Sequence, residues 1–357
     1  MDFRFSFVNY GEDLVPSPDS IVVDVGMKMV PGVIDHHHPQ AEAECASSLV
    51  VKHPRLVLDH IPAPPPGETP SAPKAVTLVT HRLPDFDAVC ALFLVIRLLE
   101  RRDVDPGMLK LAEYAKIVDS ASLPKSLDLA STPHTILRAL FSQIRNPTED
   151  ENNTQRIREG LKFMKFLHER AEQGQDLLQN RQLFVGVDRY ERAMRRAEED
   201  YFQYLEDIRS AEQAELFLPL IPSAGRGRKR VDGLFIRRSR SFLLKEWARL
   251  DRIHPSQNNG FTFLLSSTGP GRFMLGVDVE HGVTLKGLGP LLDSRETEAR
   301  RQLNRPFDNP WYDGTCAFFE NRIVVSPRDG SVLAYEDVIE EVKKFSSLTR
   351  RMGNQTS

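Results

Sequence analysis

The chain has 357 residues, of which 40% are hydrophobic and 27% are charged, and its formal net charge is −3. This composition is typical of a globular protein with a buried core and excludes a disordered or membrane-spanning class, while the small negative charge argues against broad, non-specific binding of nucleic acid. At roughly 150 residues per domain, the length predicts two domains.

The cysteines and the N-terminal residues bear on the cellular compartment. Cys45, Cys90 and Cys316 are odd in number and lack the spacing of metal-binding motifs, which predicts reduced thiols and no disulfide framework. The N-terminal residues lack the basic start and the apolar core of a signal peptide, and no apolar run approaches the ~20 residues that span a bilayer. We therefore expect a cytoplasmic protein without membrane association.

The start of the chain is predicted to contain short strands followed by a helix. Phenylalanines alternate with other residues over 3–9, as in a strand, and residues 21–26 have the pattern of a buried strand that ends in an acid and a glycine. Val33–Ile34 is the next apolar step, followed by Asp35-His36-His37-His38-Pro39, and helix formers occupy residues 41–51. The histidines are therefore expected at a strand-to-helix turn.

The same order of strand, polar loop and helix recurs further along the chain. Residues 62–73, rich in proline, predict an exposed connector, and residues 75–80 predict another buried strand. The loop His81-Arg82-Leu83-Pro84-Asp85-Phe86-Asp87 follows this strand and opens into an apolar helix over 88–102. Residues 107–117 predict a helix or a helix–strand unit, after which another acid follows.

The remainder divides into a helical segment and a second α/β region. Apolar residues recur at three- and four-residue steps over about 152–215, which predicts a helical bridge. Beyond it, strands are expected over 233–236, 261–266, 272–277 and 322–325, and helices over 242–252, 291–303 and 335–345. The polar residues 352–357 are expected to fray. The sequence thus predicts three segments, 1–150, 151–215 and 216–357.

The two polar loops carry side chains that suit divalent metal ions. The second loop holds an imidazole and two carboxylates, at His81, Asp85 and Asp87, and such a set favours a catalytic Mn²⁺, Fe²⁺, Co²⁺ or Zn²⁺ over a thiolate-rich structural zinc. Further candidate ligands are Asp24, Asp119 and one of the histidines at 36–38. Together they suffice for two ions roughly 3.5–4 Å apart with one bridging carboxylate, an arrangement that activates water and holds a phosphoryl group.

Each of these residues alone also has a purely structural explanation. An Asp or His in a strand-to-helix loop is more often a helix cap or turn residue than a ligand, and Asp24 and Asp119 each fit that explanation. Three consecutive histidines before a proline are rarer by chance, and a fortuitous surface tract is the alternative to a functional one. The two loops taken together favour the metal site.

Two motifs resemble the signatures of the DHH phosphoesterase superfamily. The first is Ile34-Asp35-His36-His37 with the helix carrying Cys45-Ala46-Ser47-Ser48-Leu49-Val50, and the second is Thr80-His81-Arg82-Leu83-Pro84-Asp85-Phe86-Asp87-Ala88. This superfamily includes manganese-dependent family II pyrophosphatases, exopolyphosphatases, oligoribonucleases, cyclic-dinucleotide phosphodiesterases and single-strand exonucleases. The resemblance covers about residues 20–125, and the remainder only in its two-domain plan.

The resemblance implies a role for each matching residue. One ion would be held by His81 and Asp85, the other by Asp87, His36 and Asp119, and Asp24 would bridge both. The implied ions are two Mn²⁺, with Mg²⁺, Co²⁺ or Fe²⁺ as alternatives. His37 would face the substrate phosphate, and Asp35 would orient the neighbouring imidazole.

The order of the two motifs is reversed relative to the superfamily. The Asp-His-His motif comes first here, so the chain resembles a circularly permuted member. A parallel sheet depends on where its strands lie more than on the order in which the chain connects them, so the site survives the permutation if the strand positions are kept. His38 matches no role in the motif.

In the superfamily, a smaller C-terminal domain closes over the site and supplies basic groups to the substrate. One candidate here is Arg226 with Arg228 and the two basic residues after it, in a glycine-flanked loop whose alternative explanation is a solvated charged turn. The other is the stretch 304–314, where Trp311 and Tyr312 form either a packed turn or a platform that stacks a base.

These observations predict an α/β protein with a doubly wound parallel sheet in its N-terminal domain, a helical bridge and a smaller C-terminal α/β domain. The expected function is a divalent-metal-dependent phosphohydrolase that cleaves a phosphodiester in a short oligonucleotide or a cyclic nucleotide. A pyrophosphatase or exopolyphosphatase is the alternative enzyme, and a catalytically inactive nucleotide-binding or scaffold protein is the alternative class. The expected partner is a phosphate-containing small molecule or short oligonucleotide, and the oligomeric state stays open, with a homodimer as one alternative.

Overall fold

The computed structural model describes residues 2–63, 75–178 and 181–347, and it is an α/β protein with two mixed, five-stranded sheets. The chain divides into two compact units, the first made of Met1–Ala197 with Cys316–Phe318 and the second of Glu198–Thr315 with the residues from Phe319 onward. The predicted connector at 62–73 lies almost entirely outside the described residues, and so does the predicted frayed tail.

The sheet of the first unit brings together strands that are far apart in the sequence. Its strands are β1 (Asp2–Val8), β2 (Ser20–Val23), β3 (Met29–Val30), β4 (Val33–Ile34) and β5 (Ala75–His81). They lie in the order β1-β5-β2-β4-β3, and every neighbouring pair is parallel except β3 with β4. The expectation of a purely parallel sheet is therefore wrong at this edge. Only two residues join β3 to β4, with Gly32 at φ +85°, and so short a connection permits antiparallel pairing alone.

Several helices of the first unit begin at a side-chain cap. They are α1 (Ala46–Lys52), α2 (Arg55–Leu58), α3 (Phe86–Arg101), α4 (Pro106–Asp119), α5 (Pro133–Phe141), α6 (Glu149–Glu172) and α7 (Arg181–Phe184), and α8 (Asp188–Arg209) crosses into the second unit. Asp85 accepts a hydrogen bond from Ala88 N at the start of α3, and Asp105 accepts one from Met108 N at the start of α4. The segment predicted as a separate bridge is divided between the units, because α6 packs against α3 and α4 of the first unit.

The parallel register places the ends of four strands at one edge of this sheet. Val8 is paired with His81 across β1 and β5, and Val23 is paired with Ile34 across β2 and β4. Since β5 also pairs in parallel with β2, all four strands run in the same direction. The residues that directly follow these strands are therefore neighbours, although they are separated by tens of residues in the chain.

The second unit is built on a mainly antiparallel sheet. Its strands are β6 (Glu212–Pro219), β7 (Arg228–Ile236), β8 (Phe263–Gly269), β9 (Arg272–Val277) and β10 (Ile323–Val325), in the order β10-β9-β8-β7-β6 with only β7 and β8 parallel. Its helices are α9 (Leu244–Leu250), α10 (Leu288–Gln302) and α11 (Tyr335–Ser347). These elements agree with the predicted strands and helices to within a few residues, with two exceptions.

Both exceptions involve the ribbon formed by β6 and β7. Residues 212–215 were assigned to the helical bridge but begin β6, where Glu212 is paired with Phe235. Arg228 and the two basic residues after it belong to β7 and not to a loop, with Arg228 paired with Pro219. Cross-strand pairing outweighs the low strand propensity of these charged residues, because their side chains lie at the partly exposed end of the ribbon.

Trp311 belongs to the core of the second unit. Its ring is 3% exposed and stacks on Phe273 with a centroid distance of 6.0 Å, and its backbone N–H donates to Asp293. Of the two explanations left open for this stretch, the packed turn is therefore the one found. Within the described part of the chain, no helix is both long enough and apolar enough to cross a membrane.

Candidate metal centre

Asp24 lies at the centre of a cluster of imidazoles and carboxylates at the sheet edge. It follows β2 directly and has a left-handed backbone, with φ +60°, a conformation that Asp adopts more readily than most residues. Its side chain is buried, and its two oxygens face different imidazoles: Oδ1 lies 3.1 Å from His36 Nε2, and Oδ2 lies 3.2 Å from His81 Nε2. One carboxylate therefore links the loops that follow β4 and β5.

His81 and Asp85 complete a first triad with Asp24. His81 Nδ1 lies 2.8 Å from the carbonyl oxygen of Arg82, and because a carbonyl only accepts, Nδ1 carries a proton. Asp85 Oδ1 lies 4.0 Å from His81 Nε2, and the Asp85 side chain is 42% exposed. The first triad is thus accessible from solvent.

His36, Asp87 and Asp119 form a second triad. Asp87 is buried at the start of α3 and accepts hydrogen bonds from Ala46 N at 2.7 Å and Ser47 N at 3.0 Å, so it also caps α1. Asp119 is the last residue of α4, and its Oδ2 lies 3.8 Å from His36 Nε2. The helix-cap explanation thus holds for Asp87 and Asp85, but in both cases it coexists with a position facing the cluster.

Asp35 holds His37 in place beside the two triads. Its Oδ1 lies 2.7 Å from His37 Nδ1 and accepts from His37 N, while Oδ2 accepts from Met27 N at 2.6 Å. Although burial by itself lowers the pKa of His37, the hydrogen bond and charge of Asp35 outweigh it and raise the pKa to about 9. His37 is therefore a cation near neutral pH, and its Nδ1 lies 3.8 Å from Asp24 Oδ1.

The carboxylates of the cluster have pKa values displaced in opposite directions. Burial raises the pKa of Asp24, but the hydrogen bonds from His36 and His81 outweigh it and hold the pKa well below the usual range. Burial and the charge of Asp24 raise the pKa of Asp87 to about 6. Burial, with the charges of Asp87 and Asp85, raises the pKa of Asp119 well above its usual value. The site therefore concentrates negative charge that a cation would offset.

The donor atoms fit one or two divalent ions. In each triad, one ligand atom from every residue lies within 4.8 Å of the others, and Asp24 forms a further set with His36 and His37. Asp119 Oδ2 is buried and has no hydrogen-bond partner among the described residues, which is the state expected of an oxygen that awaits a cation. Imidazole nitrogen and carboxylate oxygen suit Mn²⁺, Co²⁺, Fe²⁺ or Zn²⁺, and no thiolate belongs to either triad.

A second cluster of potential ligands in the first unit has a structural explanation. Asp105 Oδ1 lies 2.7 Å from His168 Nε2, with Glu172 beside the same imidazole. Asp105 also caps α4 and accepts from the guanidinium of Arg97 at 3.3 Å. Because a cation already faces this carboxylate, the cluster is an ion-pair network between α3, α4 and α6.

Two aromatic residues at the site carry no signal that our sequence analysis recognised. Tyr10 stacks on the His81 ring with centroids 4.0 Å apart, and Phe318 packs edge-on against His36 at 5.0 Å. Tyr10 lies two residues beyond the end of β1, so only the pairing of β1 with β5 would have placed it there. Phe318 comes from the three residues of the late chain that belong to the first unit.

The predicted basic residues lie in the second unit, whereas all predicted metal ligands lie in the first. Arg228 donates to the carbonyl oxygens of Phe217 and Phe345, and its guanidinium lies over the Phe345 ring. Its guanidinium is thus already engaged within its own unit. Arg226 is an exposed residue before β7. His38, which had no assigned role, is buried.

A scan against models of known protein families matched none of them. Searches of curated proteins and of solved structures likewise returned no match. The resemblance to the DHH superfamily therefore stays a prediction.

Proposed function

We propose that this protein is a divalent-metal-dependent phosphohydrolase. The observation that carries the proposal is the position of Asp24, whose two oxygens face His81 of the first triad and His36 of the second. A carboxylate shared in this way is the expected bridge of a two-ion centre. The proposal also includes the resemblance of the two motifs to the DHH superfamily and a doubly wound arrangement of the first domain.

The residues present would hold two ions of the Mn²⁺ type, with Mg²⁺, Co²⁺ or Fe²⁺ as alternatives. His81 and Asp85 would bind one ion, while His36, Asp87 and Asp119 would bind the other, and Asp24 would bind both. When bound, such ions supply the Lewis acidity that in-line attack of water on phosphorus requires.

The remaining residues of the cluster supply positioning and charge. Asp35 fixes the orientation of His37 through Nδ1, and the resulting imidazolium would stabilise negative charge on phosphoryl oxygens. Ala46 and Ser47 donate to Asp87 and fix the direction of its carboxylate, as partners of a ligand do in metal centres. Asp85 is the most exposed member of the first triad, so a substrate would approach from its side.

A phosphodiester in a short oligonucleotide or cyclic nucleotide is the first substrate class to test. Pyrophosphate or short polyphosphate is the second class to test. It must be tested in parallel, because Trp311 lies in a core and therefore gives the diester no support as a base-stacking platform. Arg226 stays a candidate substrate contact, while Arg228 would have to give up its two carbonyl partners to become one. An inactive nucleotide-binding or scaffold protein is the competing class, although all six proposed ligand positions carry residues able to bind metal.

The test is hydrolysis of a dinucleotide, a cyclic dinucleotide and pyrophosphate in parallel, with and without Mn²⁺. Asp85→Asn removes a charged ligand from the exposed triad, and Asp59→Asn, at an exposed carboxylate on α2's end, is the matched control. We expect Mn²⁺-dependent turnover of at least one substrate by the wild type and the control, and a loss of about a hundredfold or more in Asp85→Asn. Equal turnover by Asp85→Asn, or turnover that chelation leaves unchanged, would refute the proposal.

A further inference from the structure

Tyr10 makes three contacts with the histidines of the metal centre. Its hydroxyl oxygen lies 2.9 Å from His81 Nε2, its ring stacks on the His81 ring at an interplanar angle of 23°, and its edge meets the His37 ring at a centroid distance of 5.6 Å. The residue as a whole is 45% exposed, whereas His81 beside it is buried. Tyr10 is therefore a solvent-accessible residue in contact with the ligand cluster.

The backbone holds Tyr10 in this position. Val8, the last residue of β1, is paired with His81, and its carbonyl accepts from Arg82 N at 2.8 Å. The turn that follows is closed by Glu12, whose carboxylate accepts from both the backbone and the side-chain nitrogen of Asn9 at 2.9 Å. The position of the hydroxyl is thus set by a strand pairing and a closed turn, as expected of a preorganised binding group.

We propose that Tyr10 is a phosphate-binding residue of this centre, whose hydroxyl donates a hydrogen bond to a phosphoryl oxygen of the substrate. This inference rests on the proposed function, because it needs an ion on His81. It adds a hydroxyl donor beside His37, and neither the two motifs nor the predicted ligand set contains it.

The Tyr10 hydroxyl lies beside the nitrogen through which His81 would bind an ion. His81 Nε2 lies 2.9 Å from the hydroxyl oxygen and 3.2 Å from Asp24 Oδ2, whereas Nδ1 is engaged with the Arg82 carbonyl. An ion bound at Nε2 occupies the lone pair of that nitrogen, so the hydroxyl cannot donate to it and needs another acceptor. A phosphoryl oxygen bound at that ion is a strong acceptor within reach of an unmoved Tyr10.

The test compares Tyr10→Phe with the wild type and with Tyr190→Phe. The control deletes one hydroxyl from a ring that packs against Phe163 and Phe184, elsewhere in the first unit. Calorimetry measures the dissociation constant of Mn²⁺ for each protein and then that of inorganic phosphate for each Mn²⁺-loaded protein. Thermal melting confirms that both variants are folded.

We expect Tyr10→Phe to bind Mn²⁺ as tightly as the wild type or more tightly, since all proposed ligands are kept and the hydroxyl that contacts His81 Nε2 is removed. Its dissociation constant for phosphate should rise by roughly two- to tenfold, as expected for one lost hydrogen bond. Tyr190→Phe should match the wild type in both constants. Unchanged phosphate binding by Tyr10→Phe would overturn the inference.

Two further outcomes separate this inference from the proposed function. If Tyr10→Phe binds Mn²⁺ more than about tenfold more weakly than the wild type, Tyr10 is a metal ligand. That result would overturn its role as a phosphate donor but would leave the proposed metal centre standing. A wild type that binds no Mn²⁺ would overturn the proposed function, and the inference with it.

Discussion

Asp119→Asn should stabilise the metal-free protein while weakening its metal centre. The Asp119 carboxylate is largely buried, has one oxygen without a hydrogen-bond partner among the described residues, and faces the like charge of Asp87. It also stands at the last residue of α4, where the helix dipole disfavours negative charge. An amide of the same shape removes the charge and can donate to the neighbouring carboxylates. Each of these changes favours the folded state as long as no cation is bound.

The expected gain follows from the cost of an uncompensated buried polar group, about 1–3 kcal/mol. For a unit of roughly 200 residues, each kcal/mol corresponds to about 2–4 °C in Tm. Burial and neighbouring charges raise the pKa of Asp119 above its unfolded value, so its carboxyl group destabilises the fold increasingly as the pH rises above the unfolded value of about 3.9. The advantage of Asp119→Asn should therefore be larger at pH 7.5 than at pH 4.5.

Differential scanning calorimetry of chelator-treated protein, with and without Mn²⁺, measures both effects. Mn²⁺ at a hundred times its dissociation constant should stabilise the wild type by about 2.7 kcal/mol for each ion bound, whereas Asp119→Asn should gain much less at the same concentration. Asp59→Asn is the control and should shift the free energy of unfolding by no more than about 0.5 kcal/mol. A metal-free Asp119→Asn less stable than the wild type, together with an undiminished response to Mn²⁺, would refute the reasoning.

Three predictions concern the second unit. Asp207 accepts hydrogen bonds from three donors in the turn 239–241. Burial raises the pKa of Asp207, but these hydrogen bonds outweigh burial and lower the pKa. Asp207→Asn should therefore reduce the free energy of unfolding by about 1–3 kcal/mol in urea denaturation at pH 7. The stabilisation from a lowered pKa is complete above the unfolded value of about 3.9 and is lost as the pH falls through the folded value. The difference in stability between Asp207→Asn and the wild type should therefore shrink below pH 4, and a difference that stays constant would contradict the lowered pKa. Trp311→Ala should reduce the free energy of unfolding by about 3–5 kcal/mol. It should leave the ratio of turnover between a dinucleotide and pyrophosphate unchanged, and a changed ratio would place Trp311 at the substrate site. Gly260→Ala should lower Tm markedly. The φ of +77° alone should cost about 1–3 kcal/mol in the free energy of unfolding, and the clash of the new Cβ with the Arg249 carbonyl should add to this cost. An unchanged Tm would show that this turn rearranges freely.

The ends of β2, β4 and β5 could be predicted because each strand has a local signature. A short apolar run followed at once by a polar side chain is visible without knowledge of the fold, and parallel strands bring such ends to one edge. That rule predicts that Asp24, one of the histidines at 36–38 and His81 lie together. In the structure, the carboxylate of Asp24 lies 3.1 Å from His36 Nε2 and 3.2 Å from His81 Nε2. The roles of these residues stay predictions.

Contacts between distant segments could not be predicted in the same way. Tyr10 follows an ordinary amphipathic strand, and it reaches the site only because β1 pairs with β5, which lies about 70 residues further along the chain. The antiparallel β3 is only two residues long, too short for any periodicity to reveal. Arg228 in β7 shows the same limit, since pairing with β6 overrides a charged, loop-like composition.

The stoichiometry of Mn²⁺ bound to the chelator-treated protein, measured by calorimetric titration, tests the two-ion centre most directly. We expect two Mn²⁺ per wild-type chain, and we expect Asp24→Asn to weaken both sites together because the Asp24 carboxylate faces a histidine of each triad. One ion per chain, or an Asp24→Asn variant that loses one ion and keeps the other at wild-type affinity, would contradict the shared carboxylate and with it the two-ion centre.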